Sequence, residues 1–227
     1  MKEFSSSARV KICGIRDKNH ALAAVEAGAD FIGLVFAPSK RQVSPAKACE
    51  IASVVKKSSN TTKVVGVFVN ALACDVNRIA DFCALDWVQL SGDESWEYCR
   101  EVVNPVIKAT RVGRQSPEEL YAELSAGGKL LSPQRFITLL DSQTEGKYGG
   151  TGESFNWNLA QQVAKRFPVI IAGGLDPTNV ARLIERVRPW GVDVSSGVET
   201  GGVKDIAKIR MFIKEVRKAD ERRQADT

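Results

Sequence analysis

Histidine is almost missing from this chain: His20 is the only one in 227 residues. That excludes metal centres built on several imidazoles, and it moves any proton transfer onto Asp, Glu, Cys, Lys or Tyr. Cys-x-x-Cys pairs are missing as well. The five cysteines, Cys13, Cys49, Cys74, Cys83 and Cys99, are odd in number and scattered, which disfavours both a disulfide framework and structural zinc. No apolar stretch of signal-peptide length stands near the start, and nowhere do about 18 apolar residues run together, so a soluble, cytoplasmic protein is expected. Nucleic-acid recognition lacks an aromatic platform or a motif. The formal charge of +5 has much of its excess in "KIRMFIKEVRKADERRQADT", where acidic residues are interleaved. A solvated helix and frayed tail are expected there, and the remaining positive bias suits a small anionic substrate.

What is present is repetition of element type. Short apolar runs recur at "VKIC" (10–13), "FIGLVF" (31–36), "VVGVFV" (64–69), "WVQL" (87–90), "VIKA" (106–109), "FITLLD" (136–141), "VIIA" (169–172) and "VDVS" (192–195). They are nearly continuous rather than alternating, as in a parallel sheet covered on its outer face. Helical stripes lie between them: Ala48, Ile51, Ala52 and Val55 after Ser44 and Pro45, then Leu72, Val76, Ile79 and Cys83. Asp17 and Gly28 bracket the first helix, Ser116 and Pro117 open the fifth, Asp176 and Pro177 open the seventh, and Ile206, Ile209, Ile213 and Val216 mark the last. Eight alternations without a composition shift predict one (β/α)8 TIM barrel spanning 1–227, with an N-terminal extension of about 1–8 and a charged tail of about 218–227. A doubly wound open sheet is the structural rival.

In such a barrel the active site lies at the C-terminal ends of the strands. Strand 1 delivers Cys13, strand 4 Gln89 with Ser91 and Asp93, strand 5 Lys108 and Arg111, and strand 6 Asp141. Gln89 is a candidate substrate-binding residue by that position. "AGGL" (172–175) and "SSGVE" (195–199) fall after strands 7 and 8, where glycine lets backbone amides approach a phosphate. Cys13 is the one strand-end cysteine; the others fall on helical stretches, where a buried apolar role is usual. With so little histidine available, its thiol is a candidate base, its reference pKa being about 8.5. Asp141 faces it across the rim and precedes a glycine-rich loop, "SQTEGKYGGTGESF" (142–155), long enough to close over an acid and exclude water. Arg41, in the loop after strand 2, has the planar fork that binds a carboxylate through two bonds. His20 reads as a surface residue.

Taken together, "KICGI" (11–15), "GADFIGLVFAPSKRQVS" (28–44), "VGVFVN" (65–70), "LLDS" (139–142), "GGTGESFNW" (149–157), "IAGGL" (171–175) and "GVDVSSGVE" (191–199) resemble the phosphoribosylanthranilate isomerase family of tryptophan biosynthesis. The resemblance implies an Amadori rearrangement of N-(5-phosphoribosyl)anthranilate to 1-(2-carboxyphenylamino)-1-deoxyribulose 5-phosphate, without metal or cofactor. It implies Asp141 as general acid on the ring oxygen and Cys13 as general base at C2 of the sugar. Arg41 would hold the anthranilate carboxylate, and the backbone of Gly174, Ser196 and Gly197 the phosphate. One departure stands out: the family pattern after strand 4 usually reads Gln-Leu-His-Gly, and here "QLSG" puts Ser91 at the histidine position. A small phosphosugar is the expected partner, with monomer and homodimer both open. Rival enzymes are the histidine-pathway isomerase, which would resemble a pair of aspartates where this chain has Cys13, and indole-3-glycerol-phosphate synthase. Metal-dependent pentose-phosphate epimerases need several histidines. A non-catalytic phosphosugar-binding barrel is the rival from another class.

Overall fold

The computed structural model describes residues 7–112, 116–132, 135–142 and 157–225. Eight strands close into one barrel in chain order: β1 (Arg9–Cys13), β2 (Phe31–Val35), β3 (Lys63–Phe68), β4 (Trp87–Leu90), β5 (Val106–Val112), β6 (Phe136–Ser142), β7 (Val169–Ala172) and β8 (Gly191–Val194). All neighbours are parallel, and β8 closes the ring by pairing with β1. The expected (β/α)8 barrel is therefore the fold, and the doubly wound rival is set aside. Among the described residues eight helices cover it: α1 (Lys18–Glu26), α2 (Pro45–Ser58), α3 (Ala73–Phe82), α4 (Trp96–Glu101), α5 (Pro117–Leu130), α6 (Trp157–Ala164), α7 (Val180–Val187) and α8 (Ile206–Ala225). A two-residue pair, β9 (Glu199–Thr200) and β10 (Val203–Lys204), forms an antiparallel ribbon between β8 and α8.

Local chemistry sets the helix starts. The Asp17 carboxylate accepts the N–H groups of Asn19 and His20, and Ser44 accepts that of Lys47 with Pro45 following. Ser116 and Glu119 form a reciprocal capping box ahead of α5. The continuous apolar strands bury both faces. Their outer side packs on helical stripes such as Ile209, Phe212, Ile213 and Val216 of α8, all essentially inaccessible; each such side chain contributes roughly 1.5–3 kcal/mol. Their inner side forms a second cluster around Val65, Ile107, Leu139 and Ile170. Phe31, Trp87 and Trp190 plug the N-terminal end, with ring centroids 6.3 and 6.0 Å from Phe31. Chemistry is left to the other end.

The structure departs from expectation in four places. Leu72 is 68% exposed because it precedes α3 in extended conformation, outside the helical stripe assigned to it. Cys74 is exposed and Cys49 only half-buried, so only Cys83 and Cys99 fill the buried role expected of the helical cysteines. Asp176 opens a turn rather than a helix: its carboxylate takes the N–H groups of Thr178 and Asn179, and α7 begins only at Val180. The charged stretch after 217 stays helical to Ala225. There Ala219 and Asp220 continue the buried face, and Asp220 accepts the Ala8 N–H at 2.8 Å. Among the described residues no helix is long and apolar enough to cross a membrane.

Candidate active site

Cys13 ends β1 and is 7% exposed. Gly14 follows in left-handed conformation, φ 77°. A Cβ there would lie 2.5 Å from Arg41 Cδ and 3.2 Å from Ser195 Oγ, so glycine is what lets the arginine cross the mouth beside β1. Arg41 reaches from the β2–α2 loop to Glu199 in β9. Its Nε donates to Oε1 at 2.6 Å and its Nη2 to Oε2 at 2.8 Å, a two-bond fork. Lys204 of β10 donates to the same carboxylate at 2.8 Å and to the Ser195 carbonyl at 2.7 Å. Burial works against the Glu199 charge, yet the bonds from Arg41 and Lys204 hold its carboxyl at about 2. Ser195 completes the chain by donating to the Cys13 carbonyl at 3.2 Å.

Below Cys13, the Lys11 ammonium is buried and paired with Asp193 of β8 at 2.9 Å. Burial is the largest influence on the Cys13 thiol and pushes it up, with Lys11 pulling it down and Asp193 pushing it up again. None of Lys11, Asp193, Glu199 and Lys204 was singled out from the sequence. The available signal was a charge standing inside an otherwise apolar strand, as in "VKIC" and "VDVS".

Asp141 lies on β6 near its C-terminal end, opposite Arg111 of β5 and Ala172 of β7 in register, and is half-buried. Of the glycine-rich loop expected to cover it (142–155), Ser142 ends β6 and residues 143–155 lie outside the described residues. Gln89 is buried in β4; its Nε2 donates to Ser91 Oγ at 3.0 Å, and its Oε1 has no hydrogen-bond partner among the described residues. Arg111 reaches back to the Ser91 carbonyl and to Asp93, both at 3.4 Å. Lys108 turns inward under the same loop and donates to the Gly92 carbonyl at 3.1 Å.

The two glycine loops meet. Gly197, in the 3-10 turn Ser196–Val198, packs so closely on the Leu175 carbonyl that no Cβ would fit. Gly173 and Gly174 both have positive φ, and Asn179 Nδ2 donates to the Gly174 carbonyl at 2.8 Å. Cys13, Arg41, Gln89, Asp141, Gly174, Ser196 and Gly197 thus all stand at the strand ends or in the loops of one barrel face. His20 is elsewhere, in the first turn of α1 against Asp17.

Residues 10–215 match the family model described as N-(5'phosphoribosyl)anthranilate (PRA) isomerase. Among named relatives, the N-(5'-phosphoribosyl)anthranilate isomerase of Dehalococcoides mccartyi is 49% identical over 213 residues, covering 93% of this chain and 97% of its own. The enzyme of the same name from Pseudomonas fluorescens is 47% identical over 214 residues, covering 93% and 97%. The crystal structure of phosphoribosyl anthranilate isomerase from Thermotoga maritima superposes with TM-score 0.80 at 40% identity, covering 93% of this chain and 99% of that one. A phosphoribosyl anthranilate isomerase in complex with reduced 1-(o-carboxyphenylamino)-1-deoxyribulose 5-phosphate does so with TM-score 0.77 at 38% identity, with the same coverage. With a closed eightfold barrel, a cysteine at the end of β1 and an aspartate on β6, the chain belongs to the phosphoribosylanthranilate isomerase family.

Proposed function

We infer that this protein is the isomerase that converts N-(5-phosphoribosyl)anthranilate to 1-(2-carboxyphenylamino)-1-deoxyribulose 5-phosphate in tryptophan biosynthesis. The observation that carries this is the family match across residues 10–215, within which Cys13 and Asp141 fall on the mouth of one barrel. The reaction exchanges oxidation level between two adjacent carbons of one molecule, so its balance needs no external oxidant or reductant.

Asp141 gives its proton to the furanose ring oxygen as the C1–O bond breaks, and the anilino nitrogen's lone pair forms the iminium. That cation makes the C2–H acidic. Cys13 removes the C2 proton, the electrons move into C1=C2, and the resulting enaminol becomes the ketose as C1 takes a proton and the C2 hydroxyl releases one. One acid and one base suffice, each contributing on the order of 10² to 10⁴ in rate. Arg41, oriented by Glu199, binds the anthranilate carboxylate, and the Gly174, Ser196 and Gly197 backbone binds the phosphate. Holding the substrate at both ends fixes the reacting carbons between acid and base. Gln89 lies under the reacting region, where its buried carbonyl oxygen accepts a substrate hydroxyl. Ser91 in place of an imidazole alters contacts around the aromatic acid, not the proton transfers.

The only partner this chemistry requires is the small phosphosugar itself, and the cytoplasm is where we place the enzyme. The Thermotoga maritima enzyme is described both as dimeric and as generated monomers, so either a monomer or a homodimer is compatible with this function. The test is decay of the fluorescence of freshly generated phosphoribosylanthranilate, with product identified by chromatographic retention against the authentic ketose and by further conversion. Acceleration by catalytic amounts of the protein is expected. Tight binding without acceleration would instead leave a non-catalytic phosphosugar barrel, and faster turnover of the histidine-pathway aminoaldose would reassign the substrate.

A further inference from the structure

Lys11 is among the largest fully buried side chains, at 1% exposed, and no step above uses it. It stands two residues before Cys13 on β1, so the two side chains leave the strand on the same face. Its ammonium donates to Asp193 Oδ1 at 2.9 Å, and the two residues are register partners across the β1–β8 seam. On the other side of β1, Gly33 of β2 leaves a gap into which both groups point. A Cβ at Gly33 would lie 3.0 Å from Cys13 Sγ and 3.1 Å from Lys11 Nζ. The two atoms border the same gap, so Nζ and Sγ lie within about 6 Å of each other. Taking a cation out of water costs far more than burying a leucine, and filling the strand interior would not require it.

We propose that Lys11 is a positioning residue that sets the charge on Cys13: its fixed ammonium favours the thiolate, and Asp193 anchors that ammonium and limits its pull. This rests on Cys13 being the base, and gives that base its electrostatic environment. The charges facing Cys13 are Lys11 from β1, Asp193 from β8 and Lys204 from β10, while β2 presents only Gly33. The Arg41–Glu199 pair lies beyond Gly14 and Lys204. Burial lowers the proton affinity of Lys11, but Asp193 and Cys13 outweigh it, so Lys11 stays above the ordinary lysine value and remains a cation over the working range. The two opposite charges then act on the thiol in opposite directions, Lys11 the more strongly.

The test is site-resolved alkylation of Cys13 by iodoacetamide as a function of pH, read by mass spectrometry, in wild type, Lys11→Met, Asp193→Asn and the double variant. Lys11→Met is expected to move the Cys13 midpoint to higher pH, cutting its thiolate fraction at pH 8 by about tenfold, one pKa unit. Asp193→Asn is expected to move it to lower pH by a similar factor. The double variant leaves no buried charge unpaired, keeps the fold, and returns the midpoint to between the two. Turnover against pH should follow the same order. Unmoved midpoints, or single variants that shift in the same direction, would reduce the pair to a structural one and overturn the proposal. Opposite shifts together with normal turnover by Cys13→Ala would uphold the electrostatic assignment and remove Cys13 from the mechanism instead.

Discussion

The mouth of this barrel is built in two ways. On the β8–β1–β2 side, Lys11 and Asp193 are paired at 2.9 Å with side chains 1% and 9% exposed. Above them Arg41, Glu199 and Lys204 form a continuous ionic chain. On the β4–β5 side, Lys108 and Glu94 are also buried but stand 3.5 Å apart, and at the rim Arg111 and Asp93 approach only to 3.4 Å, with side chains 49% and 80% exposed. The same chemical pairing has different consequences in the two places. In water an ion pair contributes little, whereas buried charges are costly to place and strongly felt by their neighbours. A structure keeps the costly arrangement where charge must be fixed before substrate arrives. Here the shortest such pairs, at 2.9 and 2.8 Å, are on the side carrying the proposed base and the proposed carboxylate anchor.

The difference can be tested in decreasing order of effect. Cys13→Ala and Asp141→Asn are each expected to lower turnover by at least roughly 10²-fold with circular dichroism unchanged; near-normal turnover in either would take that residue out of the chemistry. The next effect concerns acid stability. The Glu199 carboxyl is lowered in the folded state, so its contribution is fully present above about 4.5 and is lost as pH falls through about 2. That contribution is about 3 kcal/mol. Thermal unfolding followed from pH 6 to pH 2 should show a steeper loss in wild type than in Glu199→Gln, and parallel curves would mean that the ionic chain is not fixed in solution. Arg41→Met is expected to raise KM by about tenfold or more while kcat changes little, as for a contact made equally in ground and transition states; an unchanged KM would move the carboxylate site elsewhere. Smallest is Asp93→Asn, which on the exposed side should alter stability by less than about 0.5 kcal/mol in urea unfolding. A larger loss would erase the contrast between the two sides.

Much of the fold was legible because parallel strands buried on both faces leave continuous apolar runs, and all eight such runs are strands. Their limits were less so. β5 continues through Thr110, Arg111 and Val112 because it pairs with β6 along its whole length, a tertiary fact that local hydrophobicity does not carry. Asp176 and Pro177 have the composition of a helix start, but the Asp176 carboxylate is spent on its own turn. The polar framework of the mouth was the least legible part. Lys11 and Asp193 lie 182 residues apart and meet only across the closing seam of the barrel. Glu199 and Lys204 occupy a ribbon of two residues per strand, too short for any period to register. Arg41 was readable as a carboxylate-binding fork, but not that a carboxylate of the chain itself already orients it.

The most direct measurement of the division of labour between the two sides is a single-turnover experiment with substrate deuterated at C2 of the sugar, in wild type, Cys13→Ser and Asp141→Asn. If Cys13 takes the C2 proton and Asp141 opens the ring, weakening the base makes proton removal more limiting. The isotope effect should then grow in Cys13→Ser and shrink towards unity in Asp141→Asn, where ring opening limits. An isotope effect that grows in Asp141→Asn and shrinks in Cys13→Ser, or is the same in both, would contradict the assignment.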